Sequence, residues 1–259
     1  MKKLYEKNEL VFAILCIVVY VVSQSAANSL NETIGIDKSV NAIFNVILTM
    51  FLLCFIWKNG LLKKYRFCKP IAPASRFIWY IPLAIFASRN LWMGVTLNNC
   101  ENIPSLLCDA FNMLLVGIVE ETLFRGLLFN AIAKDGSVKS AIVISSATFG
   151  LGHIINLING SGAELVPNLC QVVYAVVVGF LFVTIYYRGG SIIPCIIAHS
   201  FVDVASVFGN WEKVFYTDDG VLNNTKYIMF ALSGAAFALA YTLILLKTLP
   251  KQEQMAAKD

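Results

Sequence analysis

Eight stretches of apolar residues recur along the chain, at 10–27, 40–57, 77–97, 104–133, 138–158, 166–187, 191–208 and 227–246. Each approaches the roughly 20 residues that a helix needs to cross a bilayer's hydrocarbon core. Composition agrees: 58% of the residues are hydrophobic and 14% charged, with a mean hydropathy of +0.71, where a soluble domain carries about a quarter charged residues. The longest polar interruptions, 58–76 and 209–226, are too short to fold alone. Residues 1–259 therefore read as a single polytopic membrane domain, all-α, a bundle of about eight transmembrane helices. Lys2, Lys3 and Lys7 ahead of an apolar run that ends in Ser25-Ala26-Ala27 also fit a signal peptide. The length of that run and the polytopic chain behind it favour a retained helix.

The cations set an orientation. Lysine and arginine gather on the cytoplasmic side of membrane proteins. With the first segment inside, the inner segments hold 15 of the 20 cations, and the outer loops hold Lys38, Lys213 and Lys226. Arg89 and Arg125 lie within spans. This alternation predicts a multi-pass protein of the cell membrane with both termini cytoplasmic. Where the cations sit matters more than the net charge of +4, and lipid is the expected environment, with no nucleic-acid partner. The seven cysteines form no C-x-x-C pair, which argues against a disulfide framework or a zinc knuckle; most lie in apolar runs, where cysteine acts as a small hydrophobe.

The chemistry-bearing residues are those that apolar helices should not contain. A charge at a helix centre costs roughly 2.5–3.5 kcal/mol on insertion scales. Yet the fourth span holds Glu120, Glu121 and Arg125, the fifth holds His153, and the seventh holds His199 followed by Asp203; His153 and His199 are the chain's two histidines. Glu121 and Arg125 are i,i+4 neighbours in the favourable order, which neutralises two charges and reads as structural. Glu120 is rotated about 100° from Glu121 and needs another partner. His199 and Asp203 are again i,i+4, so Asp203 can accept a ring N–H; Phe149, one turn before His153, can pack that imidazole. Counted from Lys134, Lys139 and Arg188, the ionisable groups of the three helices lie at one depth, about 16–21 Å from the inner face at 1.5 Å per residue. A lone intramembrane histidine is usually a satisfied core residue, but a set at one level reads as a site. Asp109 and Arg89, nearer the outer span ends, are explained by snorkelling or by pairing with each other.

Taken in order, Glu120-Glu-x-x-x-Arg125, Phe149-x-x-x-His153 and His199-x-x-x-Asp203 resemble the CPBP family of intramembrane proteases, the CAAX prenyl endopeptidases and bacteriocin-processing (Abi) proteins, over a protease-motif core at 106–206. The resemblance implies an eight-helix core with an active site inside the membrane, open toward the cytoplasmic side. By the family's pattern Glu120 is the general base that activates water, and His153 holds and polarises that water. His199 and Asp203 serve the tetrahedral oxyanion, with Glu121 and Arg125 as braces. Well-described members place Asn where this chain has Asp203. An ionised carboxylate donates no hydrogen bond, so orienting His199 is the role that fits here. The family's metalloprotease label raises zinc, whose ligands would be Glu120, His153 and His199, although His-Glu-x-x-His is missing. The implied substrate is a membrane-bound protein or peptide. Rival readings are a proton-coupled transporter, which would place ionisable groups at mid-membrane, and a non-catalytic membrane scaffold.

Overall fold

A computed structural model describes residues 1–70, 80–95, 103–159 and 163–249. Among these, ten helices build the protein and no strand forms; the β-type pairing is limited to the isolated bridges Val95–Gly209 and Tyr216–Leu222. The helices are α1 (Lys2–Lys7), α2 (Glu9–Ile34), α3 (Ser39–Lys58), α4 (Ile81–Ala87), α5 (Ile103–Asp135), α6 (Val138–Leu157), α7 (Leu165–Gly189), α8 (Ile193–Phe208), α9 (Trp211–Phe215) and α10 (Asn224–Thr248).

The all-α membrane bundle expected from the sequence is what forms. Six helices, α2, α3, α5, α6, α7 and α10, are long and apolar enough to cross a bilayer. The seventh apolar stretch becomes α8, whose 16 residues reach about 24 Å, short of a full crossing of about 30 Å. The third, at 77–97, lies partly outside the described residues. Its described part is broken into the seven-residue α4 and a 3-10 turn at Arg89–Met93.

Polarity is inverted relative to a soluble protein. Val18, Val22, Ile43, Met50, Leu107 and Val143 are exposed, whereas Asn31, Asn41, Asn45, Asn112, Glu120, Glu121 and Arg125 are buried. In hydrocarbon the backbone must satisfy itself within helices, which leaves buried side chains to find polar partners across helices. Local signals fix the ends. Asn8 caps α2 by accepting from Val11 N at 2.9 Å, and Ser137 caps α6 through Ser140 N at 3.0 Å. Gly35 and Gly190 close α2 and α7 in the left-handed conformation that glycine adopts without penalty.

Close helix crossings bring the motif helices together. A Cβ on Gly117 of α5 would lie 2.6 Å from the backbone N of Ser200 on α8, and one on Gly150 of α6 would lie 2.5 Å from the backbone N of Val176 on α7. Small residues at such crossings let backbones approach where no hydrophobic force drives association. Thus α5 lies between α3 and α8, and α7 lies between α6 and α10.

The two ends of the bundle differ. At one end Glu9 bonds both Lys64 and, at 3.0 Å, Lys134, which ties the start of α2, the segment after α3 and the end of α5 to one level. Arg66 donates to the carbonyls of Tyr186 and Tyr187 at 2.9 and 3.0 Å. This is the lysine-rich end.

Candidate active site

Two neighbouring carboxylates on α5 and one imidazole on α8 form the centre of the site. His199 Nδ1 lies 2.8 Å from Glu121 Oε1, and its Nε2 lies 3.3 Å from Asp203 Oδ2 and 3.7 Å from Glu120 Oε2. Glu121 Oε1 also accepts from Arg125 Nη1 at 3.0 Å, within a pair that is wholly buried. The i,i+4 spacings Glu121–Arg125 and His199–Asp203 therefore both become contacts. Glu121 nonetheless does more than neutralise Arg125: it holds the inner nitrogen of His199, leaving the Nε2 edge toward Glu120 and Asp203.

Glu120 finds its separate partner on a helix outside the motifs. Tyr20, on α2, donates its hydroxyl to Glu120 Oε1 at 2.7 Å. His153 meets the same space from α6. Its ring stands edge-on to Phe149 at 5.7 Å between centroids, and Asn168 Nδ2 anchors its backbone carbonyl at 2.8 Å. Phe149 does more than its spacing suggested, since the Arg125 guanidinium lies 4.2 Å from its ring centre and His199 packs edge-on against it at 5.6 Å. Phe182 closes the other side, 5.6 Å from the His199 ring and 5.5 Å from Arg125. Phe149 and Phe182 thus pack against both the imidazole and the guanidinium, and the cation–π contact of Arg125 strengthens when desolvated.

The helix carrying the glutamates is not regular. Immediately after Glu121, α5 adopts a π-helical stretch from Thr122 to Leu128. Such insertions are rare and concentrate at functional sites. The wider winding disturbs backbone pairing, and side chains take up the carbonyls: Ser145 donates to Phe124 O at 2.9 Å, while Asn130 donates to Arg125 O at 3.0 Å and Gly126 O at 2.6 Å.

Tyr20, Glu120, His153, His199 and Asp203 all line one cavity of about 360 Å³. From this floor it runs away from the lysine-rich end. Gln24, Asn28, Asn41, Asn112, Asn156, Asn159 and Gln171 line its upper part, with Lys38 and the exposed Gln171 near the mouth. Beneath the floor, Leu123, Arg125, Phe129 and Tyr186 are all at most 2% exposed. Two expectations therefore collide. Cytoplasmic termini and a cavity open to the cytoplasm cannot both hold, because the cavity opens at the end opposite α1.

One of two alternatives left open by the sequence is settled. Arg89 and Asp109 do not pair: Arg89 lies over the rings of Phe230 and Tyr174, at 4.0 and 4.9 Å, and donates to Phe230 O at 3.2 Å. Zinc, raised by the resemblance alone, finds no ready donor set. Among the described residues no group of three His, Cys, Asp or Glu side chains is arranged to hold a metal ion. Tyr20 is the functional neighbour that sequence reasoning missed. A tyrosine within Val18-Val-Tyr-Val-Val22 carries no periodic or charge signal that separates it from a packing residue.

The class is set by a polytopic helical bundle in which a Glu–Glu–Arg helix faces two histidines around one cavity, together with a family match. Residues 102–205 match the family described as type II CAAX prenyl endopeptidase Rce1-like. That match, over the part of the chain that carries the glutamates and both histidines, supports an intramembrane protease of the CPBP family, a hydrolase. No curated protein and no solved structure matches it.

Proposed function

We propose that the protein is a membrane endopeptidase in which Glu120 activates water to cut a membrane-associated protein or peptide. The observation that carries this reading is the meeting of Tyr20, Glu120, His153, His199 and Asp203, from four helices, on one cavity floor. Glu120 takes a proton from water as the oxygen forms its bond to the scissile carbonyl carbon. The resulting tetrahedral oxyanion collapses with cleavage of the C–N bond, and Glu120 returns the proton to the departing amine. General-base assistance of this kind contributes roughly 10²–10⁴-fold.

The other groups take roles set by what they touch. Tyr20 fixes the Glu120 carboxylate by donating to one of its oxygens, leaving the second oxygen toward His199. His153, held through its backbone by Asn168, faces the cavity where water and substrate meet. Glu121, held by Arg125, fixes His199 through Nδ1, so that Nε2 serves the oxyanion. Asp203 orients that same imidazole edge. Donors aimed at a developing oxyanion in a water-poor site supply a large part of catalysis. The cation pattern supports a place in the cell membrane with both termini on the cytoplasmic side. A carrier function has no comparable support, since beneath Glu120 the path toward the lysine-rich end is filled by buried Arg125, Phe129 and Tyr186.

The test is cleavage by purified protein in detergent, with wild type beside Glu120→Gln and His153→Ala. Loss of peptide cleavage in both variants at unchanged melting temperature is expected. Uptake into sealed vesicles that depends on Glu120, without cleavage, would instead establish a transporter.

A further inference from the structure

The cavity's direction and the cation asymmetry together lead beyond the reaction itself. We propose that the active site is entered from the extracytoplasmic side, through a carboxamide-lined vestibule that takes an extended, neutral or basic polypeptide. The substrate class rests on the hydrolase reading above; the side of entry does not.

The orientation comes from charge. Among the described residues, the end that carries α1 holds Lys2, Lys3, Lys7 and the cluster Lys58, Lys63, Lys64, Arg66 and Lys69, with Lys134, Lys139, Arg188 and Lys247 at the same level. The opposite end holds Lys38, Lys213 and Lys226 against Glu32, Asp37, Glu164, Glu212, Asp218 and Asp219. A bias of this size sets the basic end in the cytoplasm. The mouth of the cavity belongs to the other, acidic end, because its upper lining comes from the last turns of α2, α6 and α8 and the first turns of α3, α5 and α7. On the cytoplasmic side the floor is sealed by fully buried Arg125, itself enclosed by Phe149 and Phe182.

The lining identifies the occupant. Among the described residues seven of its side chains are carboxamides, and Lys38 is the one lysine or arginine. A carboxamide offers both donor and acceptor, which matches the alternating N–H and C=O groups of an extended peptide backbone and suits no phosphate or other dense anion. On the α2–α3 side these amides bond one another, as in Asn41 to Asn28 at 3.1 Å and Asn41 to Gln24 at 3.0 Å, and so act partly as interhelical ties. Asn28 Nδ2 also reaches across the mouth to Asn159 O, just past the end of α6, at 3.1 Å. The surrounding acids raise the local concentration of cationic segments over anionic ones.

The test uses the full chain with its native cysteines replaced, carrying one new cysteine at Gln171→Cys or Lys63→Cys. Intact cells are treated with a membrane-impermeant maleimide, before and after permeabilisation. Labelling of Gln171→Cys in intact cells, with Lys63→Cys labelled only after permeabilisation, is the expected result. The reverse pattern, or no labelling of Gln171→Cys in either condition, overturns the proposal. The occupant is tested with Glu120→Gln added to the Gln171→Cys protein. A lysine–alanine decapeptide should slow labelling at least threefold, and its glutamate–alanine counterpart should not; equal effects of the two, or none, defeat the substrate assignment. Outward labelling together with peptide cleavage that persists in Glu120→Gln would refute the glutamate mechanism while leaving the side of entry intact.

Discussion

The two halves of the bundle, divided at the level of Glu120, handle buried polarity in opposite ways. Toward the lysine-rich end, Arg125 is fully enclosed, bonded to Glu121 and packed between Phe149 and Phe182. Toward the far end, neutral amides form the chain Asn31–Asn41–Gln24–Asn45–Asn112 beside an open cavity. A buried charge tolerates no substitute for its partner, so the first half is rigid and specific. Amides exchange partners at little cost, so the second half suits a site that peptide groups must enter and leave. The boundary between these regimes is where Glu120 and His199 meet.

The contrast can be broken most forcefully at Arg125. Arg125→Ala strands Glu121 in a dry site and loosens His199, and removing one partner of a buried pair costs about 3–5 kcal/mol. Thermal melting in detergent should show this as a large drop, and a variant that melts with the wild type contradicts the ion-pair account. At the boundary, Tyr20→Phe removes one hydrogen bond to a carboxylate. Such bonds are worth about 1.5–3 kcal/mol; where that energy positions Glu120 for the reaction, its loss lowers kcat roughly 10–100-fold, with a smaller drop in melting than at Arg125. Full activity in Tyr20→Phe would show that Glu120 is positioned without it. Smallest should be Asn45→Leu in the amide half, where interhelical hydrogen bonds average about 0.6 kcal/mol. A loss as large as that of Arg125→Ala would erase the distinction between the halves.

What was legible in the sequence follows the same division. Glu120, Glu121 and Arg125 stand out because charge in an apolar run is expensive, and the i,i+4 geometry of two helices supplied the contacts Glu121–Arg125 and His199–Asp203. The bundle was legible for the same reason, since apolar length is nearly sufficient to specify a membrane helix. The π-helical stretch at Thr122–Leu128 was not, because it depends on Ser145 and Asn130 arriving from outside the stretch to take its carbonyls. Nor was Tyr20, whose hydroxyl acquires a role only once α2 is packed against α5. The sequence left snorkelling and mutual pairing open for Arg89 and Asp109, and could not show that aromatic faces at Tyr174 and Phe230, remote in sequence, receive the guanidinium instead.

Membranes prepared from cells producing the wild-type protein or Glu120→Gln, compared by mass spectrometry of newly formed peptide termini, reach the reaction directly. A glutamate that activates water predicts a set of cleavage products present with the wild type and missing with the variant at equal protein level. Identical termini in the two preparations would contradict hydrolysis at Glu120.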